Sequence, residues 1–316
     1  MKILWVKDGK LGHEKQVEAL LKEISKDTDT IITETLTKSF ILEVIEFVSF
    51  GFIQTDKENL KEQNFDLIIG AGNKSFIRMV NLAIICRNAK IVSILCPNYF
   101  LRSRFDHICI PIHDNHKKID NNKKITFEGS LSSVFDIDTN PDISMIAIGG
   151  NNKHFDFDID SLLKQINYIV SLYPGINWHI FNSRRTPEDM NIQISKLTNS
   201  HKNIYFIDVD DSNSLDLFKK YIKEASMKLV TPDSVNMVYE CLSSRGETIL
   251  LNMPSKKNNK IVLNINALKK DKRVGYISTS NLSEGITTHK LEKQNKYFDV
   301  LREVEKLSYS ILKSIN

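Results

Sequence analysis

Leu67-Ile68-Ile69-Gly70-Ala71-Gly72-Asn73-Lys74-Ser75 begins as an unbroken apolar run and ends in two glycines and three polar residues. A helical pattern follows as far as residue 87. The run lacks polar alternation, so it suits a strand buried on both faces, as in a parallel sheet. The glycines at its end permit a tight turn and close approach of another group to the backbone. The same unit recurs along the chain, and the recurrence decides the fold. Ile3–Val6 breaks into Asp8-Gly9-Lys10-Leu11-Gly12-His13-Glu14 before a helix, and Met145–Ile148 breaks into Gly149-Gly150-Asn151-Asn152-Lys153-His154-Phe155.

Working outward, strand-like runs fall at 3–6, 30–36, 67–70, 91–96, 108–112 and 125–127, with helical patterns near 13–26, 38–49, 56–63 and 73–87. The second half repeats the alternation, with strands at 145–148, 178–181, 204–207, 229–230, 248–251 and 275–278. Its helices fall near 158–172, 187–198, 213–225, 234–245 and 260–269. Such alternation predicts an α/β protein of two Rossmann-like domains facing a cleft. Phe135 to Asp142, rich in Asp, Asn and Pro, reads as the linker. The predicted domains are 1–138 and 139–293, followed by a C-terminal helix over 294–316. That last pattern has apolar residues at Tyr297, Val300 or Leu301, Val304, Leu307 and Ile311.

The chain has 316 residues, 41% of them hydrophobic and 26% charged, with a net charge of only +4. The balance of 43 basic and 39 acidic residues argues against nucleic acid as a partner. Cys86, Cys96, Cys109 and Cys241 form no CxxC pair and no zinc spacing, so they read as small buried thiols in a reducing cytoplasm. No stretch reads as a signal peptide or a transmembrane helix. The apolar helix at 40–48 reads first as core. The stretch 40–53 is also the candidate for peripheral contact with the inner face of a membrane.

Open parallel sheets bind ligands beyond the carboxyl ends of their strands, so the strand-to-helix junctions carry the candidate sites. Asp8 to Glu14 is not a P-loop. Gly9 and Gly12 allow close approach, the helix start favours an anion, and His13 or Glu14 offers a base. Gly70 to Ser75 nearly matches the dinucleotide fingerprint, but Ser75 replaces the third glycine. The next strand ends at Cys96-Pro97 without an acid for a ribose, which argues against NAD. In the third junction two glycines followed by Asn151 and Asn152 read as a ligand loop, in which Lys153 and His154 suit a phosphate. In the fourth, Ser183-Arg184-Arg185-Thr186-Pro187-Glu188 places two arginines beside a helix start; Ser183 or Thr186 is the expected cap and Arg the residue for bidentate phosphate recognition. In the fifth, Asp233 or Ser234 is expected to cap a helix whose N–H groups can hold phosphate. Asp208-Val209-Asp210-Asp211 resembles a metal-binding acidic pair but reads as a polar loop.

DGKLGHEKQ, GAGNKS, FDHICIPIHD, IGGNNKHF, NSRRTP and TPDSVNMVYE occur here in the order seen in the elongated-mitochondria, or mitochondrial fission, family, which the chain resembles from about residue 5 to 255. Bacterial members of that family are assigned to sugar transfer in lipopolysaccharide or capsule assembly. The resemblance implies a GT-B-like fold whose C-terminal helix crosses back to the first domain. It also implies a nucleotide-sugar donor held by Gly150, Asn151, Lys153, His154, Ser183, Arg184, Arg185, Thr186, Asp233, Ser234, Val235 and Met237, with Glu240 on the ribose. Gly9, Lys10, Gly12, Gly70, Gly72 and Asn73 would serve a glycan or glycolipid acceptor, with Asp8, His13 and Glu14 as candidate bases. No cofactor and no metal are expected, because basic groups and helix dipoles can stabilise the leaving phosphate. The rival expectations are a non-catalytic recruiting protein, as plant members of the family are, and another nucleotide-sugar enzyme such as an epimerase. The chain departs from the family pattern at Glu247 and Thr248, where Lys and Pro are usual.

Overall fold

The computed structural model describes residues 1–49, 52–53, 60, 63–114, 118–281, 287–295 and 299–315. The helix expected at 56–63 and the position of Tyr297 lie outside the described residues, apart from positions 60 and 63. The chain forms two compact units, one of Met1–Ser133 with Arg302–Asn316 and one of Val134–Leu301.

Unit 1 is built on β1 (Lys2–Lys7), β2 (Ile31–Leu36), β3 (Leu67–Ala71), β4 (Lys90–Ile94), β5 (His107–Pro111) and β6 (Lys124–Phe127). They form one sheet in the order β2-β1-β3-β4-β5-β6, parallel throughout. Its described helices are α1 (Leu11–Asp27), α2 (Phe40–Val48) and α3 (Asn73–Ile85), with α9 (Glu303–Ile315) joining from the far end of the chain. Connections leave β1 in one direction and return past it to β3, so the sheet's switch point lies between these two strands. Crevices for ligands open at such points. The C-terminal helix begins nine residues later than the periodicity from 294 suggests. Val304, Leu307 and Ile311 are buried, and Glu303 accepts the backbone N–H of Glu128 at 2.8 Å.

Unit 2 contains β7 (Asn140–Ala147), β8 (Asn177–Phe181), β9 (Ile204–Ile207), β10 (Ala225–Val230), β11 (Glu247–Leu250), β12 (Gly275–Asn281) and β13 (Thr287–Glu292). Its helices are α4 (Ile159–Leu172), α5 (Glu188–Ser200), α6 (Ser214–Glu224), α7 (Val235–Leu242) and α8 (Lys260–Lys270). The order β13-β12-β11-β10-β7-β8-β9 places the switch point between β7 and β10, and only β13 is antiparallel. Residues 140–142, read as linker, are the exposed start of β7, and Phe135 bridges to Ser244. β13 escapes the sequence reading because an edge strand needs no apolar run; it reads Thr-Thr-His-Lys-Leu-Glu.

β10 starts four residues earlier than its apolar end suggests, since Lys228 interrupts the pattern. Lys228 is nonetheless fully buried, its ammonium donating to the carbonyl of Arg245. Burial pushes its pKa down to about 8. The unfolded chain keeps that proton up to about pH 10.5, so between these values it binds more protons than the folded protein. Stability contributed by this position therefore rises with pH from about 8 to 10.5. In Lys228→Met that rise is expected to vanish, as read from urea midpoints across the range.

α2 meets the reading of 40–48 as core at Phe47, which packs partly against the core, and corrects it at four other apolar positions. Its buried residues are Glu43 and Glu46, while Phe40, Ile41, Ile45 and Val48 face outward. The two carboxylates are satisfied inside: Glu46 by Lys38 at 2.6 Å and Arg78 at 3.2 Å, Glu43 by Asn81 and the Lys38 backbone N–H, each at 3.0 Å.

Candidate functional site

At the switch point of unit 1, β1 ends and Gly9 takes a φ of +77°, turning the chain into α1. The Asp8 carboxylate is folded under this turn. Its Oδ1 accepts the Lys10 N–H at 3.0 Å, and its Oδ2 lies 2.8 Å from His13 Nδ1. A carboxylate can only accept here, so Nδ1 carries the proton, and in the neutral ring Nε2 holds the lone pair. The Asp8 side chain is 1% exposed and that of His13 is 23% exposed. A buried carboxylate thus orients an imidazole that reaches solvent, the geometry of a general base with its positioning partner. Gly72, at the end of β3, has a φ of +87°, and a Cβ there would stand 2.3 Å from His13 Nδ1 and 2.7 Å from Asp8 Oδ2. The second glycine of Gly-Ala-Gly therefore makes room for the pair.

The other unit 1 candidates divide. Glu14 accepts the Gly9 N–H at 3.1 Å and lies 3.9 Å from the Lys7 ammonium, so it ties down the turn and is not a free base. Gly12 sits in the first turn of α1, its carbonyl accepting Gln16 at 3.2 Å. Gly70 is buried in β3, where a Cβ would lie 2.8 Å from the Val6 carbonyl; its smallness serves strand and helix packing, not an acceptor. Lys10 and Asn73 are exposed beside the turn.

At the switch point of unit 2, three loops are laced together. Gly149 N–H donates to Thr231 Oγ1 at 2.7 Å and Gly150 N–H to Asp233 Oδ2 at 3.0 Å. Arg185 Nη2 reaches the same Oδ2 at 2.9 Å, and Asn151 N–H meets the Arg185 carbonyl at 3.3 Å. Ser183 Oγ donates to the Gly149 carbonyl at 2.9 Å, and Thr186 Oγ1 donates there too. Neither hydroxyl caps α5, contrary to expectation; Pro187 occupies the N-cap position. Asp233 likewise does not cap α7. Its side chain is wholly buried, holding Gly150 and Arg185, and so is turned away from any ligand. Ser234 is the N-cap of α7 but gives no side-chain cap bond to the helix. Val235 and Met237 pack partly against the core, and Glu240 is half-buried further along α7.

The two arginines have different work. Arg184 is exposed and takes no partner among the described residues, whereas Arg185 is tied to Asp233. On the nucleotide-sugar reading proposed below, Arg184→Ala is expected to weaken nucleotide binding roughly tenfold with an unchanged melting temperature. Arg185→Ala is expected to cost about 1–3 kcal/mol of stability, since it strands a buried carboxylate. Calorimetric titration and thermal melts of both variants separate these outcomes.

Lys153 is exposed, while His154 Nδ1 faces Asn259 Nδ2 at 3.1 Å. Asn259 Oδ1 caps α8 by accepting the N–H groups of Ile261 and Val262, so its amide nitrogen must be the donor to His154. Burial and Lys153 lower the His154 pKa, and with Nδ1 accepting from Asn259 the neutral ring carries its proton on Nε2. Asn152, passed over in favour of exposed Asn151, carries the bonds of this loop. Its Oδ1 accepts the N–H groups of His154 and Phe155, and its Nδ2 donates to the Asp233 carbonyl at 3.1 Å. The turn-forming habit of asparagine is the signal that marks such a residue. Thr231, fully buried, was also missed; it stands directly after a strand, where such caps fall. The acidic loop is a closed turn: Asp208 Oδ1 accepts Asp210 N–H and Asp211 Oδ2 accepts Asp208 N–H, each at 3.0 Å. Glu247 and Thr248 begin β11, at the opposite end of the sheet from these loops, so the departure there leaves the strand-to-helix junctions untouched.

Solved structures share the fold. A Listeria monocytogenes chain assigned as a UDP-N-acetylglucosamine 2-epimerase matches with a TM-score of 0.54 at 11% identity, covering 84% of this chain and 81% of that one. S. aureus MnaA, solved with UDP, matches with a TM-score of 0.50 at 9% identity, covering 86% and 89%. The E. coli ADP-heptose lipopolysaccharide heptosyltransferase II matches with a TM-score of 0.47 at 13% identity, covering 79% and 84%. No curated protein matches in sequence. The two units are thus Rossmann-like α/β domains of the GT-B-like kind. The family model described as Mitochondrial fission ELM1 matches residues 11–306, and the chain belongs to that family.

Proposed function

We propose that the protein is a nucleotide-sugar glycosyltransferase that works without a metal and delivers its sugar to a glycan or glycolipid hydroxyl. The observation that carries the reading is the Asp8–His13 pair, with Nδ1 on a buried carboxylate and Nε2 unclaimed among the described residues. His13 Nε2 takes the proton of the acceptor hydroxyl. The acceptor oxygen bonds to the anomeric carbon, and the bond from that carbon to the donor phosphate breaks, its electrons leaving with the nucleoside diphosphate. Unit 2 by itself offers exposed Arg184 and Lys153 to the phosphates of the donor. UDP is the first nucleotide to try, because MnaA was solved with it.

The test is the release of nucleotide from UDP-sugars, followed with and without acceptor and with chelator. Release that depends on an acceptor and survives chelation supports the reading. The alternative is an epimerase, favoured by the Listeria likeness. Its mark is a change of configuration in the sugar of the intact donor, or acceptor-independent release, both visible by NMR. Nucleotide binding without either reaction would leave a recruiting protein.

A further inference from the structure

Soluble amphipathic helices bury their apolar stripe and expose their charges. α2 departs from this: Phe47 packs partly on the core, but two glutamates are buried while four large apolar side chains stay outside. Glu43 and Glu46 point inward onto Lys38, Arg78 and Asn81, and the outward face carries Phe40 at 73% exposure, Ile41 at 72%, Ile45 and Val48. Folding gains nothing from leaving four large apolar side chains in water, and burying two glutamates requires a purpose-built set of partners. The arrangement is favourable only if the outward face meets an apolar phase. That face presents no hydrogen-bonding side chain of its own that would fix the register of a protein partner.

Charge identifies the partner. Phe40 and Ile41 begin α2 just beyond the carboxyl end of β2, at the same end of unit 1 as the other loops leaving the sheet. That end is basic. Lys10 and Lys74 are exposed in the turns after β1 and β3. After β4, the exposed ring of Tyr99 has the Arg102 guanidinium and the Lys118 ammonium each 5.6 Å from its centroid. Its carboxylates are engaged nearby: Asp8 with His13 and Glu14 with the Gly9 turn. Apolar side chains with exposed Lys, Arg and a tyrosine at the same end of the unit complement an anionic bilayer surface. No described helix is long and apolar enough to cross a membrane, so contact would be lateral.

We propose that unit 1 docks on anionic lipid bilayers through the outward face of α2, with the basic loops at the carboxyl end of the sheet engaging the headgroups. The proposal is independent of the donor reading, because docking is measured without nucleotide. The experiment is flotation of the full chain with vesicles of phosphatidylcholine alone or mixed with phosphatidylglycerol, at low and high salt. The expected result is recovery with the anionic vesicles that falls as salt screens the lysines, and about a tenfold or greater loss in Phe40→Ser/Ile41→Ser. Both side chains are exposed, so the melting temperature should hold. A second variant, Phe40→Trp, reads insertion directly: the native indoles of Trp5 and Trp178 are buried, so quenching by brominated lipid would report the introduced ring. Absence of recovery with any vesicle, recovery unchanged by the double substitution, or an unquenched indole overturns the proposal. So does self-association that the double substitution abolishes while vesicles recover neither protein, since the face would then belong to a second copy.

Discussion

His13→Gln is expected to lower sugar transfer by roughly 10²–10⁴-fold while leaving UDP affinity unchanged. The reason is local. The imidazole has one nitrogen fixed 2.8 Å from Asp8 and the other open, so its loss removes a base and nothing that touches donor phosphate. Asp8→Asn should fall in the same range by another route. An amide in place of the carboxylate can present its NH₂ to Nδ1, which favours the tautomer with the proton on Nε2 and so blocks the base. Because the two residues act as a unit, the double variant should lose little more than either single one. The measurement is nucleotide release under saturating donor beside calorimetric UDP titration. Equal losses of turnover and affinity would remove His13 from proton transfer.

Gly150→Ala is expected to cost about 3–5 kcal/mol and to abolish nucleotide binding. A Cβ at Gly150 would lie 1.9 Å from the Arg185 carbonyl oxygen and 2.6 Å from the Thr186 nitrogen. These are backbone atoms of a turn already held by Ser183, Thr186 and Asp233, so neither loop can yield cheaply. Gly9→Ala is the control. Its φ of +77° is strained for alanine, but nothing lies within 4 Å of the new methyl, so about 1 kcal/mol is expected. Thermal melts of the two variants should differ by several degrees. If Gly150→Ala melts like Gly9→Ala, the laced loops are not what sets the shape of the unit 2 junction.

Much of this was legible beforehand, and for a common reason. A buried parallel strand must be apolar on both faces and must end in a turn, so Ile3–Val6, Leu67–Gly70 and Met145–Ile148 announced themselves, and the glycines after them marked the junctions. The residue types at those junctions supplied the candidates that the proposed function uses, His13 for proton transfer and Arg184 for phosphate. Less legible were elements whose burial owes nothing to periodicity. Lys228 hid the first half of β10, and β13, polar at a sheet edge, had no apolar signature.

The sequence by itself determined the alternation of strand and helix, the glycine-marked junctions and the short set of residue types able to act there. Only the tertiary structure decided which of them remain free. It turned Asp8 to His13, used Glu14 and Arg185 to hold turns, buried Asp233 beneath Gly150, and faced α2 outward. The physical reason is that secondary structure answers to near neighbours along the chain, which a sequence displays. Whether a carboxylate binds a ligand or a loop depends on which donor lies within 3 Å, and those donors come from residues tens of positions away, brought close only by the order of the strands.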